Sequence, residues 1–302
     1  MGFDVMNWEV DIEDQTNKVV IITGSNTGIG YHMAYSLASK GANVIMACRN
    51  LEKALDSKNK ILKDFPEADI KLYQLDLADL DNIKNFANKF INENDRLDVL
   101  INNAGVMIPP YSKTKNNFEL QFGTNHLGHF ALTGLLLPLL EKNGKGRVVT
   151  VSSIAHNPGV IDFNDLNSER KRYSKWSSYS QSKISNLCFA IELDRRLRDN
   201  NFSTISLASH PGYSNTELQR YSILWRILNV FFAISAKKGS EATLFAATNS
   251  KASEYIYWGP TGIIEMRGPI GKAKINKKAQ DKGIAKRLWS VSEEMTGVKF
   301  LS

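Results

Sequence analysis

The stretch Tyr179-Ser-Gln-Ser-Lys183 sets a phenol and an ammonium four residues apart. On a helix that spacing gives them a common face. A positive charge beside a phenol favours its ionised form, so the pair suits proton transfer near neutrality. Spacing alone is weak evidence, since chance predicts about one such pair in a chain of this composition. The chain has two, Tyr111/Lys115 and Tyr179/Lys183. The first follows Pro109-Pro110 in a polar stretch without a helical apolar pattern. The second opens a segment with Ile184, Leu187, Cys188 and Ile191 on one face. It also follows Gly146 to Ser153, an apolar run that reads as a strand ending in two serines. A hydroxyl there, Ser153, faces the crevice where α/β folds bind ligands.

The elements that would position these groups begin at Asn17 to Lys40. Lys18 to Thr23 is a short Val/Ile-rich run that fits a buried parallel strand. Gly24-Ser25-Asn26-Thr27-Gly28-Ile29-Gly30 supplies three glycines where backbone must turn sharply. Tyr31 to Lys40 continues a helix whose packing face holds Ile29, Met33, Leu37 and Ala38. Strand, glycine turn and helix N-terminus together make an anion site, with free N–H groups and the positive helix end aimed at a phosphate.

Further strand–helix units follow. Ala42 to Ala47 reads as a second buried strand, with Cys48-Arg49-Asn50 at its end. NAD-specific folds place an acid here for the ribose 2′-hydroxyl. A guanidinium instead suits a 2′-phosphate, which favours NADP(H) over NAD(H); an ordinary surface arginine is the plainer alternative. Leu51 to Phe65 reads as a helix and Ile70 to Leu75 as a strand. Asp76-Leu77 leads into a helix from Asp79 to Phe90, so Asp76 could cap it. Leu97 to Ile101 runs into Asn102-Asn103-Ala104-Gly105, small and polar residues that let backbone pass close to a ligand. Phe118 to Leu140 holds one long helix or two. Asn125 lies in its apolar part, where it needs a partner. His126 and His129 are three apart, but no third metal ligand accompanies them, so packing histidines are expected and no metal. Thr204 to Ser209 is a sixth strand, and Gly262 to Glu265 could supply a last one.

Taken in order, Thr23-Gly24-x-x-x-Gly28-x-Gly30, Asn102-Asn103-Ala104-Gly105, Asn125, Ser153 and Tyr179-x-x-x-Lys183 resemble the short-chain dehydrogenase/reductase family. Ala47-Cys-Arg-Asn50, Asn125-His-Leu-Gly-His-Phe130, Val151-Ser-Ser-x-Ala-His156 and Arg287-Leu-Trp-x-x-Ser-Glu293 narrow it to the retinol-dehydrogenase and WW-domain-oxidoreductase-like branch. The resemblance covers roughly residues 17 to 300. It implies a single Rossmann-like, doubly wound α/β domain: a mainly parallel sheet of about seven strands, order near 3-2-1-4-5-6-7, with helices on both faces.

The resemblance further implies NADP(H)-dependent interconversion of a carbonyl and an alcohol. Ser153 would hold the carbonyl oxygen and Tyr179 would give the proton. Lys183 and the oxidised nicotinamide would lower the tyrosine's pKa by placing positive charge nearby, and Lys183 would also grip the nicotinamide ribose. Asn125 would disturb its helix and hold a relay water. Asp76 and Leu77 would sit by the adenine, Asn103, Ala104 and Gly105 along the cofactor, and Pro211, Gly212 and Thr216 by the nicotinamide carboxamide. Ser214 replaces the branched apolar residue usual near Thr216. The alternatives are a protochlorophyllide-reductase-like enzyme and a non-catalytic NADP-binding sensor, against which the intact Ser153, Tyr179 and Lys183 argue.

Residues 1–16 form an acidic arm, and 17–302 the catalytic domain, with a substrate lid at about 212–236. The lid holds an apolar run from Ile223 to Phe232, which suits a small lipophilic substrate; packing, a dimer surface or peripheral membrane contact are its other uses. Net charge is +7. Eight of the bases lie in 267–287 against Asp281 alone, a stretch that reads as solvated surface rather than a nucleic-acid site, since no interleaved aromatic motif accompanies it. No apolar run approaches the roughly 20 residues of a membrane span. The acidic N-terminus is no secretory signal, and Met6 breaks the myristoylation pattern after Gly2. Two distant cysteines give no disulfide framework, which points to the cytoplasm. A homodimer is possible, because the helices after the fourth and fifth strands form interfaces in many members of the family.

Overall fold

The apolar runs of the sequence become the strands of one sheet. A computed structural model describes residues 12–142, 144–213 and 235–301. Its strands are β1 (Val19–Thr23), β2 (Asn43–Cys48), β3 (Ile70–Gln74), β4 (Val99–Asn102), β5 (Arg147–Val151), β6 (Ile205–Ser209), β7 (Tyr257–Pro260) and β8 (Ile270–Lys272). They lie in the order β3-β2-β1-β4-β5-β6-β7-β8. The first seven run parallel and β8 pairs antiparallel with β7. The connecting helices are α1 (Gly28–Ala38), α2 (Leu51–Asp64), α3 (Leu80–Glu93), α4 (Gly128–Lys142), α5 (Lys175–Asp199), α6 (Ala236–Thr248) and α7 (Lys282–Thr296).

Period-two alternation divides the core into two layers. Val20, Ile22, Val44 and Met46 face one side, with Met33 and Leu37 of α1 and Leu244 and Phe245 of α6. Ile21, Ile45, Leu100 and Val148 face the other, with Phe86 and Phe90 of α3, Phe130 of α4, Phe189 of α5 and Trp289 of α7. Strand order reverses between β1 and β4, and their C-terminal ends leave the crevice that doubly wound sheets use for ligands.

One expectation changes. Gly262–Glu265 is not a strand: Ile263–Glu265 form a short 3-10 turn in which Ile264 and Glu265 take positive φ, 50° and 57°. The last strands flank it instead, as β7 and β8. The segment from Leu120 to Lys142 is helical but not uniform. A turn at Leu120–Phe122 passes into a π-helical stretch, Gly123–Leu127, and then into α4. Asn125 sits inside the π-helical stretch.

The cations of 267–287 are spread over the β7–β8 loop, β8, a 3-10 turn at Lys277–Gln280 and the start of α7. Lys272 and Arg287 lie over the rings of Tyr255 and Phe163. Among the described residues no helix is long and apolar enough to cross a membrane, and no cluster of His, Cys, Asp or Glu could hold a metal ion. Thr216 and the apolar run of the lid lie outside the described residues.

Candidate active site

A cavity of about 660 Å³ opens along the C-terminal ends of the parallel strands. Its floor is the turn from β1 to α1. Gly24 and Gly28 take φ of 65° and 57°, the left-handed region that costs glycine nothing. A Cβ on Gly30 would press into the Gly24 carbonyl oxygen, so the helix can start this close to the strand only with glycine there. Thr27, at the N-cap of α1, makes no side-chain cap, and the first turn holds no acid. The α1 amides that line the cavity therefore have no side chain answering them, which fits the pyrophosphate of a dinucleotide.

Gly24, Asn26, Thr27, Gly28, Ile29 and Gly30 line the cavity. Ser25 does not: it is buried, and its hydroxyl donates to the Ile22 carbonyl at 3.0 Å. At one end stand Arg49, Asn50, Asp76 and Leu77. Asn50 caps α2 by accepting from the Lys53 amide at 2.8 Å. Asp76 is not the cap of α3. That role belongs to Asp79, which accepts from the amides of Asp81 and Asn82, whereas Asp76 accepts from Ala78 N.

Asn103, Ala104 and Gly105 line the cavity beside the glycine turn. Asn103 Nδ2 donates to the Thr23 carbonyl at 2.8 Å, and the Asn103 and Ala104 amides both donate to Thr23 Oγ1 at 2.9 Å. Asn102 ties β4 to α4 through Thr133 Oγ1 at 3.0 Å. The side chain of Asn125 is spent on structure: Oδ1 accepts from Val106 N at 2.8 Å, and Nδ2 donates to Val106 O and Ser182 Oγ. It does not line the cavity.

Ser153, Tyr179 and Lys183 do line it, together with Pro211 and Gly212. Ser153 Oγ caps the 3-10 turn Ile154–His156 by accepting from Ala155 N at 3.2 Å. Lys183 Nζ donates to Val151 O at 3.2 Å and stands 5.8 Å from the centre of the Tyr179 ring. Burial drives the ammonium's pKa from 10.5 to about 8. Burial also pushes the Tyr179 phenol up to about 12, and its hydrogen bond with Ser153 offsets only part of that. The expected lowering of the phenol involves both Lys183 and the oxidised nicotinamide, and in the polypeptide by itself burial is the larger influence.

The arrangement is a dinucleotide cradle facing a buried Ser–Tyr–Lys group. The sequence profile of the short chain dehydrogenase family matches residues 18–226. The chain belongs to that family. Human retinol dehydrogenase 12 is 40% identical over 291 residues, covering 94% of this chain and 87% of the relative. Human retinol dehydrogenase 13 is 36% identical over 296 residues, covering 93% and 85%. The fold matches the crystal structure of an uncharacterized protein from Mycobacterium paratuberculosis with a TM-score of 0.82 at 39% identity, covering 97% and 98%. An actinorhodin polyketide ketoreductase crystallised with NADPH shares the fold alone, at 19% identity, TM-score 0.62 and coverage of 82% and 96%. The protein is therefore an oxidoreductase acting between carbonyl and alcohol, on the retinol-dehydrogenase-like branch of a family that uses nicotinamide cofactors.

Within this short chain dehydrogenase, several cavity residues escaped the sequence reading. Lys53 lines the cavity, as do Arg49 and Asn26. Its signal was electrostatic: a cation in the first turn of a helix opposes the helix dipole and is favourable only if an anion binds there. Trp176, Met107, Pro158 and Tyr213 line the end near Tyr179. Trp176 was legible by spacing, since it lies three residues before Tyr179 and shares its helix face.

Proposed function

We propose that this protein interconverts a lipophilic carbonyl and its alcohol with NADP(H), using Tyr179 to pass the proton. The observation that carries the reading is the convergence of Ser153, Tyr179 and Lys183 on one wall of the cavity that the glycine turn floors. When bound, the nicotinamide supplies or accepts the hydride. Ser153 holds the substrate oxygen by a hydrogen bond and so favours the charge that develops on it. Tyr179 donates its proton to that oxygen in reduction and takes it back in oxidation. Lys183 keeps positive charge beside the phenol and would hold the nicotinamide ribose. The polypeptide alone holds the phenol at about 12, so positive charge held beside it would favour release of its proton.

Preference for NADP(H) rests on Arg49 and Lys53. Arg49 follows the end of β2, where an NAD-specific site places an acid, and Lys53 of α2 lines the same cavity; a 2′-phosphate is the anion two such cations suit. A lipophilic substrate is supported by the wall of Trp176, Met107, Pro158 and Tyr213. Trp176 is 39% exposed, so the apolar wall continues to the surface. The names of the retinol dehydrogenases point the same way. Cys48 and Cys188 are buried free thiols, in keeping with a reducing compartment such as the cytoplasm.

The test is to follow NADPH and NADH absorbance with a panel of lipophilic aldehydes and ketones, using wild type and Tyr179→Phe in parallel. Turnover with NADPH that the substitution abolishes supports the reading. Tight NADPH binding without turnover across the panel would instead favour a cofactor-binding sensor.

A further inference from the structure

His129 takes no part in the scheme above, yet it lies between the two halves of the site. Its ring is buried, and each nitrogen has one partner at 2.9 Å: Nδ1 meets the backbone oxygen of Asn125, and Nε2 meets Thr23 Oγ1. A carbonyl can only accept, so Nδ1 carries the proton. In the neutral ring Nε2 is then an acceptor, and the Thr23 hydroxyl, which also lies 3.3 Å from the Ile101 carbonyl oxygen, donates to the nearer imidazole nitrogen. Burial holds the ring neutral, with its pKa down to about 4, and the nearby Lys183 acts in the same direction.

The ends of this hydrogen-bonded chain give it meaning. Thr23 closes β1 immediately before Gly24 of the cofactor turn, and its oxygen accepts the Asn103 and Ala104 amides. Asn125 grips both backbone polar groups of Val106 and reaches Ser182, the residue before Lys183. The glycine turn, the 103–106 loop and the head of α5 are thus joined through one imidazole. An apolar side chain of similar size would fill the space but take the imidazole N–H from the Asn125 carbonyl and leave the Thr23 hydroxyl only the longer bond to the Ile101 carbonyl.

We propose that His129 is a positioning residue, a neutral imidazole strut that sets the cofactor-binding turn against the Asn125–Ser182–Lys183 side of the active site. The proposal rests on the carbonyl–alcohol reading of that site. It goes further in giving a buried core histidine control over the register between cofactor and proton donor.

His129→Leu and His129→Gln in the full chain test it. Glutamine can rebuild both bonds, an amide N–H toward Asn125 and a carbonyl oxygen toward Thr23; leucine can rebuild neither. Misplacement by an ångström costs on the order of 100-fold, so His129→Leu should lose about 10- to 100-fold in kcat with a smaller change in substrate KM. His129→Gln should recover most of that loss. Equal losses in both variants that track their melting temperatures, or an unchanged kcat in His129→Leu, would overturn the strut.

A second readout does not need turnover. In protein with 15N-labelled histidines, the signal missing from His129→Gln is that of His129. It should show a protonated Nδ1 and a bare Nε2, and it should shift as NADPH is titrated. A protonated Nε2, or a signal that NADPH leaves in place, overturns the proposal even if no carbonyl substrate is found. Absence of turnover with the expected tautomer and the NADPH shift would count against the catalytic reading alone.

Discussion

Lys183 Nζ lies 5.8 Å from the centre of the Tyr179 ring while donating to the Val151 carbonyl at 3.2 Å. One turn of α5 thus holds both titrating groups, and the end of β5 fixes the ammonium. Both are buried, and burial acts on them in opposite directions, lowering the lysine to about 8 and raising the tyrosine to about 12.

A pH dependence follows from these directions. The ammonium must be charged to assist the phenol, so kcat/KM for reduction should fall as pH rises through about 8. The stability term runs the other way. The folded lysine pKa is below its unfolded value of 10.5, so unfolded chains hold the extra proton between about 8 and 10.5. This group alone therefore makes the fold more stable as pH rises through that window. Tyr179 counters it, because its folded pKa is raised from 10.0, and stability from that group falls above about pH 10. Rate profiles from pH 6 to 10 for wild type and Lys183→Arg check the first statement. The arginine variant should lack the falling limb, and a wild-type profile flat across pH 8 would refute the assignment.

Cofactor selection should reside in Arg49 and Lys53. Hydrogen bonds to charged groups contribute roughly 1.5–3 kcal/mol, so Arg49→Asp should weaken NADPH binding by about 10- to 100-fold. NADH binding should change far less. Lys53→Ala should act in the same direction and more weakly. Fluorescence titration of both cofactors decides this, at low and high salt, because exposed ion pairs weaken with screening. Equal weakening of NADPH and NADH would remove the 2′-phosphate from the account.

Trp176 should choose among substrates. It lies edge-to-face to Tyr179, ring centres 6.2 Å apart, on the cavity wall. Loss of an apolar contact surface in a pocket costs about 1–3 kcal/mol, so Trp176→Ala should raise KM about tenfold or more for long or ring-bearing carbonyls. Short aldehydes, which do not reach the indole, should keep their KM. A uniform loss of kcat across the panel would show instead that the indole only supports Tyr179.

Much of this site was legible because its signals are local. The glycine turn is a backbone requirement, and Gly24, Gly28 and Gly30 state it outright. The strands were equally plain, since parallel strands covered on both faces read as unbroken Val/Ile runs. What stayed hidden depends on contacts between distant segments. Nothing near Ser25 announces that its hydroxyl turns inward to Ile22. The helical Asn125 needed a partner, but only the fold names Val106 and Ser182. The edge strand β8 has three residues, and its Gly-Lys end resembles a loop. Gly262–Glu265 looked like a strand from its isoleucines, but the chain must reverse there to bring β8 antiparallel to β7. The burial of Tyr179 was hidden for a related reason: sequence shows the neighbouring lysine and not the packing that raises the phenol.

The last prediction concerns association. The helices after the fourth and fifth strands, α4 and α5, are the surfaces from which a dimer was expected. In this chain α7 and the segment after it pack upon them. Trp289 sits between Phe130 and Phe189, and the Phe300 ring lies 4.7 Å from it. The Arg196 guanidinium covers the same indole at 4.5 Å and also donates to the Leu301 carbonyl. A face already filled by buried aromatic rings has little left to offer a second copy. We therefore expect native mass spectrometry to find the 33.8 kDa monomer. Removing a buried tryptophan side chain costs about 3–5 kcal/mol, so Trp289→Ala should lower stability sharply. It should also uncover Phe130 and Phe189, and whatever remains folded should then self-associate. A wild-type dimer whose contacts, mapped by hydrogen exchange, fall on α4 and α5 would mean that α7 leaves that face in solution.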